Sequence, residues 1–413
     1  MDGRPACDRP GTRGRVSVVA QYSHLEHAND LEPSVGHHQM LQHCPVHHEV
    51  THDPPFFVVS RHADVMAMLT QPDLWNSRDG SGVFYQPGGV LGSADGETHR
   101  RQRKVLQDGF RPTAIDSLAP RVDRIGIELW DDAFGADRGE GDFVRLFAFP
   151  FPAIVIAELL GVPVNRRHQF GQWSDDIVNG LGGGDLALVE VANAGIFALV
   201  DELVEHRKAL ADAGETVPDD LIAVLTSAEL AGTLSHGEVR RLCQQLLVAG
   251  HETTASLIGL MLYRLIQRPQ LADRLRAQPH LIPQAVEEFL RYDSPVQGLF
   301  RTNAGECPLG TATVPERTKV LALFAAANRD PEVWDDPDDI DLDRMAPGSR
   351  PHIAFGWGVH HCIGAPLARR EAQLALQLMI ERFDTVELVG DVAVNQPFIL
   401  RGLTTMPIRW TRR

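Results

Sequence analysis

The stretch FGWGVHHCIG, from Phe355 to Gly364, decides how the rest of this chain is read. It sets one cysteine, Cys362, among three glycines and two histidines. The other cysteines, Cys7, Cys44, Cys243 and Cys307, are far away in sequence, and no CxxC occurs. An odd count at wide spacing argues against a disulfide framework and favours a reducing compartment. The chain has 413 residues, 43% of them apolar, which is ample for a large core. Its net charge of −16 makes it a poor partner for nucleic acid or an anionic membrane. The first residues, MDGRPACDRPGTRGRV, have no apolar run, so neither a signal peptide nor an anchor is expected. FAFPFPAIVIAELLGVP is broken by prolines and Glu158, and LIGLMLYRLI is too short to span a bilayer. A soluble, cytoplasmic protein is expected.

Residues 1–50 are polar, histidine-rich and without periodicity, and read as an irregular arm. Residues 51–413 read as a single domain. PPFFVVS (54–60) predicts a short strand and RHADVMAMLTQ the helix after it. Further strand-like runs fall near 299–320 and 398–410. Everything else of length is helical, punctuated by Gly and Pro. Loops are expected at 81–97, 178–185 and 211–221. The segment HHQMLQHCPVHHEVTH (37–52) carries six histidines and Cys44, but its spacing fits no recurrent zinc site.

One helix stands apart. Ser235 and Glu238 form an S-x-x-E capping box, and a mostly apolar pattern then runs from Val239 to Ile266. At 1.5 Å per residue this is roughly 45 Å, enough to cross a domain. Its middle, LLVAGHETTASLIG, puts Gly250, His251, Glu252, Thr253 and Thr254 inside that run. Burying a carboxylate costs several kcal/mol unless something uses it or pairs with it, and a mid-helix glycine costs about 1 kcal/mol against alanine. A purely structural helix would avoid both.

Cys362 has several readings. It could be a packed core thiol, or a nucleophile with a base and an oxyanion site nearby. Zinc would call for further ligands that this loop lacks, and c-type haem attachment would call for CxxCH. A thiolate on haem iron needs a single cysteine. It also needs a backbone that passes close under a flat macrocycle, which favours Gly356, Gly358 and Gly364. Amide donors for the sulfur could come from the start of the helix APLARREAQLALQLMIERF.

FGWGVHHCIG resembles the cysteine loop of the cytochrome P450 family, F-G-x-G-x-x-x-C-x-G. Other family marks follow in the family's order from about residue 54 onward. AGHETT (249–254) resembles the oxygen-activating part of the long central helix. EFLR (Glu288 to Arg291) resembles the E-x-x-R helix, and DLDR ends at Arg344, where the family places the arginine that joins that pair. Ile340 departs from the aromatic residue many relatives have there, and a packing change is expected. HRRQR (His99 to Arg103) resembles the helix that holds a haem propionate.

The resemblance implies a mainly α fold with a small β region, and haem b between the long central helix and the cysteine-ligand helix. It implies Cys362 as the axial and metal ligand, with Ala249 leaving room for O₂. Glu252 and Thr253 would be the acid–alcohol pair that delivers protons. His251 would face away from the haem, since sequence neighbours do not share a helix face. His99, Arg103, Arg301 and His360 would meet the haem propionates. Glu288, Arg291 and Arg344 would form a buried structural network. Val83, Leu91, Val248, Val296, Leu299 and Phe398 fall in segments expected to line a substrate pocket. Their apolar character predicts a bulky, uncharged guest, terpenoid or steroid-like ahead of polyketide.

The implied reaction is monooxygenation, with electrons from a ferredoxin and ferredoxin reductase to a protein working as a monomer. A peroxygenase using H₂O₂ and a haem sensor or carrier are the rival readings, and the intact Glu252–Thr253 pair argues against both. Arg100, Arg101, Lys104, Arg369 and Arg370 form local excesses of positive charge where an acidic ferredoxin could dock. His361 beside the cysteine could add charge below about pH 6.5.

Overall fold

The structure is a computed structural model that describes residues 31–413 apart from 33, 34, 184, 311, 396 and 397. Helices dominate, as expected. In chain order they are α1 (Val35–His43), α2 (His62–Thr70), α3 (Gly96–Leu106), α4 (Pro112–Phe134), α5 (Pro150–Leu160), α6 (Arg167–Gly183) and α7 (Leu186–Asp212). Then come α8 (Leu221–Leu230), α9 (His236–Gln267), α10 (Pro269–Ala277), α11 (Ile282–Asp293), the short α12 (Phe324–Ala327) and α13 (Ala365–Arg382).

The long helix α9 begins where the sequence put it. Ser235 Oγ accepts from Glu238 N, and Ser235 N donates back to Glu238 Oε2 at 2.8 Å. Two of the helix's four orphan amide ends are settled in this way. α9 packs against α5, α6, α7 and α13, and its residues from Thr254 to Leu262 are all buried. By length and composition α9 could cross a membrane, yet 67% of its apolar window is buried inside the fold. It is the core helix.

The main sheet holds β1 (Val46–Glu49), β2 (Phe56–Val59), β3 (Trp75–Asn76), β5 (Leu299–Asn303) and β8 (Lys319–Ala322), in the order β1-β2-β8-β5-β3. β2 and β8 are parallel and the other pairs antiparallel. A second sheet joins β4 (Arg138–Asp142), β12 (Pro407–Arg412) and β9 (Phe383–Leu388). Two small pairs complete the β region: β6 (Cys307–Leu309) with β7 (Ala312–Val314), and β10 (Ala393–Val394) with β11 (Leu403–Thr405).

Three expectations fail. Residues 35–49, read as irregular arm, form α1 and β1, because β1 finds a partner in β2 and Met40 packs under the sheet with Phe56 and Val58. The loop expected from residue 178 is helical as far as Gly183, despite its glycines, since α6 lies against α7 and α9. Cys44 is disulfide-bonded, so the expectation of reduced cysteines does not hold there. β4, rich in charge and glycine, gives no strand pattern in the sequence; β4 and β9 pair on either side of β12.

Candidate active site

Cys362 sits in the loop between a 3₁₀ turn (Gly358–His360) and the start of α13. Gly356 and Gly358 have φ of 66° and 70°, which strains any residue with a side chain. A Cβ on Gly358 would also stand 2.5 Å from the Leu69 carbonyl oxygen. Gly364 differs: its φ is −80°, and a Cβ there would meet nothing nearer than Cys362 Sγ at 3.9 Å. Its lack of a side chain keeps clear the space beside the sulfur.

Cys362 carries accessible surface although protein encloses it, so that surface faces the interior. Burial pushes its thiol up, while the amides of Gly364 and Ala365 and the charges of Arg103 and Arg369 pull the other way. On α9, which packs on α13, Ala249 is exposed while Leu246 and Leu247 before it are buried. Thr253 Oγ1 donates back to Ala249 O at 2.8 Å, the i−4 bond that loosens a helix locally.

Glu252 is the unusual acid. Its side chain is 14% exposed, and among the described residues its buried Oε1 has no hydrogen-bond partner, with His251 Nδ1 nearby at 3.8 Å. Burial, and then the nearby charge of Asp175 on α6, push its carboxyl up to about 8. It therefore holds a proton at neutral pH. His251 faces away, as expected: Nε2 lies 3.0 Å from Phe149 O, and burial drives the imidazole down to about 4.

The expected cationic cluster assembles. The His99 and His360 rings are 4.3 Å apart, and His360 Nε2 is 2.8 Å from Asp95 Oδ1. Burial, then His360 and Arg103, lower His99 to about 4. Arg103 is lowered by burial against the attraction of Cys362, which links the cluster to the sulfur. Arg301 is 4% exposed and donates from Nη1 to Phe300 O; burial lowers it to about 10. Among the described residues Asp95 is the acid coupled to His99, Arg301 and His360, and sequence reading missed it. Burial pushes Asp95 up, but bonds from His360 and the amides of Arg78 and Ser77 outweigh that and leave it below the usual carboxylate range. Its position four residues before His99, at the start of α3, was the available signal.

The network of Glu288, Arg291 and Arg344 is present. Arg291 and Glu288 are fully buried and joined at 2.8 and 2.9 Å, and Arg344 Nε reaches Glu288 Oε1 at 3.1 Å. The pocket candidates divide. Val248, Val296, Leu299 and Phe398 keep accessible surface. Val83 and Leu91 are buried, the first packed with Phe56, Phe300 and Phe398, the second in the main core.

Two charge expectations change. His361 is lowered by burial and by Arg369, Arg103 and His352, so its charge appears only at more acid pH than an ordinary histidine's. Most of the arginines read as a docking patch are paired: Arg100 with Glu97, Arg101 with Glu238, Arg369 with Glu287 and Arg370 with Asp123. Among the described residues no group of three or more His, Cys, Asp and Glu side chains is placed to hold a metal ion.

The residues present fit a haem. The donor set is one sulfur with accessible surface, a clear space at Gly364, and a group of His and Arg side chains facing a single acid, suited to two propionates.

Residues 45–409 match the family model described as Cytochrome P450. Cytochrome P450 107B1 of Saccharopolyspora erythraea is 38% identical over 77% of this chain and 76% of its own length. The 6-deoxyerythronolide B hydroxylase of the same organism is 36% identical over 77% of each. Among solved structures, CYP109E1 from Bacillus megaterium in complex with testosterone has a TM-score of 0.81 at 28% identity, covering 90% of this chain and 96% of that one. A single cysteine under so many glycines thus has its explanation in descent as well as in chemistry: this chain belongs to the cytochrome P450 family and is one of its bacterial monooxygenases.

Proposed function

We propose that this chain hydroxylates a bulky, uncharged, hydrophobic small molecule, steroid-like or terpenoid, in the cytoplasm, as a monomer whose residues 51–413 act as one catalytic unit. The observation that carries the reading is Glu252, a buried acid that keeps its proton at neutral pH, next to a Thr253 hydroxyl on the open stretch of α9. When bound, haem b would supply the activation of O₂ that places one oxygen atom in a C–H bond and releases the other as water. Cys362 would hold its iron, with the Gly364 and Ala365 amides and Arg103 offsetting the negative charge on sulfur. His99, Arg103, Arg301 and His360 would take the propionates, His99 as a neutral donor.

Glu252 holds the proton to be delivered, and Thr253, released from Ala249 O, can pass it on. This pair supports oxygen use with electrons from a ferredoxin and its reductase over a peroxygenase or a haem carrier. The docking side is inferred to be that of Cys362, with Lys104, exposed on α3, as its cation. Lys104→Glu should slow ferredoxin-driven reduction at low salt and much less at high salt.

The apolar surfaces of Val248, Val296, Leu299 and Phe398 support a hydrophobic guest, and the testosterone complex of CYP109E1 favours a steroid-like one. The 36% identity to 6-deoxyerythronolide B hydroxylase supports a second reading, a guest of that kind. Titrating the holoenzyme with testosterone and with 6-deoxyerythronolide B, and following the Soret blue shift, separates the two. Turnover with ferredoxin, reductase and NADH then tests the reaction; product formed from H₂O₂ but not from the ferredoxin system would overturn the electron-transfer reading.

A further inference from the structure

Lys319 is a lysine that the active site does not use. It opens β8 and is only 2% exposed. Buried lysines are rare and need partners. This one points across the sheet edge to the loop that joins β3 to α3. Its Nζ donates to Asp79 O at 2.9 Å and to Gly80 O at 2.7 Å. The same ammonium lies 5.0 Å from the centre of the Tyr85 ring. An ammonium has three protons to donate, so two carbonyls and one aromatic face use all of them. Tyr85 has a second partner: Arg317 Cζ lies 5.9 Å from its ring centre, and the Tyr85 hydroxyl donates to Arg317 O.

The loop turns at two glycines between these anchors. Gly80 and Gly88 have φ of 97° and 84°, so the segment between them starts and ends at left-handed glycines. Phe84 to Gly88 are all exposed. Within the same segment Val83 turns inward onto Phe56, Phe300 and Phe398, and Ser81 O accepts from Phe300 N at 3.0 Å. One face of the loop therefore meets apolar residues beside Phe398, and the other is clasped by Lys319 and Arg317.

The clasp is not free of cost. Among the described residues Lys319 Nζ bonds to these carbonyls and to no carboxylate. Burial and the charge of Arg301 lower its amine to about 8, with Asp79 acting in the opposite sense. Opening the loop returns the ammonium to water and relieves that penalty, so this anchor is the natural place for the loop to release.

We propose that Lys319 straps the 79–88 loop to the main sheet and thereby sets how readily a bulky ligand passes to the site between α9 and Cys362. Lys319 is a positioning residue, and the proposal rests on the hydrophobic pocket proposed above. The strap is a property of this chain's Lys319, Tyr85 and Arg317 together, and it acts without touching the guest.

The test uses the holoenzyme, its Lys319→Met and Lys319→Arg variants, and Tyr85→Leu, which removes an exposed ring and spares the core. Hydrogen–deuterium exchange of residues 79–91 reads the strap directly. We expect exchange there to rise about tenfold in Lys319→Met and Tyr85→Leu, with α9 unchanged and Lys319→Arg close to the parent. Stopped-flow binding of two azoles, followed by the Soret red shift, reads passage: bulky 4-phenylimidazole should enter several-fold faster in the loosened variants, and imidazole at the parent rate. If Lys319→Met does not fold, Tyr85→Leu carries both measurements. Unchanged exchange in the loosened variants overturns the strap. Faster exchange with no difference between the azoles overturns the link to ligand entry, and places the fault in the proposed pocket.

Discussion

His360 Nε2 stands 2.8 Å from Asp95 Oδ1, across 265 residues of chain. The same carboxylate accepts from the amides of Ser77 and Arg78 through Oδ2. One acid thus joins the cysteine loop, the start of α3 and the end of β3. It is an N-cap residue by position, yet its side chain makes no cap bond to α3. Its bonding capacity goes into assembling the site.

Asp95→Asn keeps the shape but puts an amide group where two backbone N–H groups now donate. The loss should be about 1–3 kcal/mol, read as a lower urea midpoint and faster haem loss. The native pKa of Asp95 lies below its unfolded value. Its contribution is therefore present above about pH 4 and fades as pH falls through the native value. Equal stability of parent and variant at pH 7 would count against this role.

Glu252 works with the opposite sign. Its native pKa is about 8 and its ordinary value 4.5, so the native state loses stability as pH rises between them. His251 and His99, both lowered to about 4, oppose this trend only below their ordinary 6.5. From pH 6.5 to 8 the Glu252 slope stands clear of them, amounting to roughly 2 kcal/mol. Glu252→Gln should flatten that part of the thermal-stability profile relative to the parent.

Thr253→Ala should leave the carbon monoxide spectrum of the reduced holoenzyme in its thiolate-type position. Product formed per NADH should fall, by as much as 10²-fold, with H₂O₂ appearing in its place. Fully coupled turnover in this variant would take Thr253 out of proton delivery.

Glu288→Ala leaves the Arg291 guanidinium buried without its carboxylate and frees one end of Arg344. Breaking a buried pair in this way costs about 3–5 kcal/mol. We expect a large drop in urea midpoint and poor haem retention. The double variant Glu288→Leu, Arg291→Met should recover part of the loss.

The parts of the site that were legible in the sequence are those where short-range spacing carries the chemistry. Glu288 and Arg291 share a turn of helix, as do His99 and Arg103, and the cysteine loop holds its own glycines. α9 was legible because Ser235 and Glu238 mark its start and a mostly apolar pattern follows for the length of the helix. Asp95 and Asp175 were not, because what they touch lies on other elements. β4 and β9 were hidden for the same reason: they are strands only in the company of β12. The paired state of Arg101, Arg369 and Arg370 could not be seen either, since Glu238, Glu287 and Asp123 come from distant segments.

β1 covers the outer edge of β2 along the register Val46–Val59 to Glu49–Phe56. A chain begun at residue 51 would keep every residue of the site and lose that cover. The bare amides and carbonyls of Phe56–Val59 would then face solvent, offering a template on which a second molecule could add a strand. Such a shortened protein would bind its haem and still tend to self-associate, with the tendency rising with concentration.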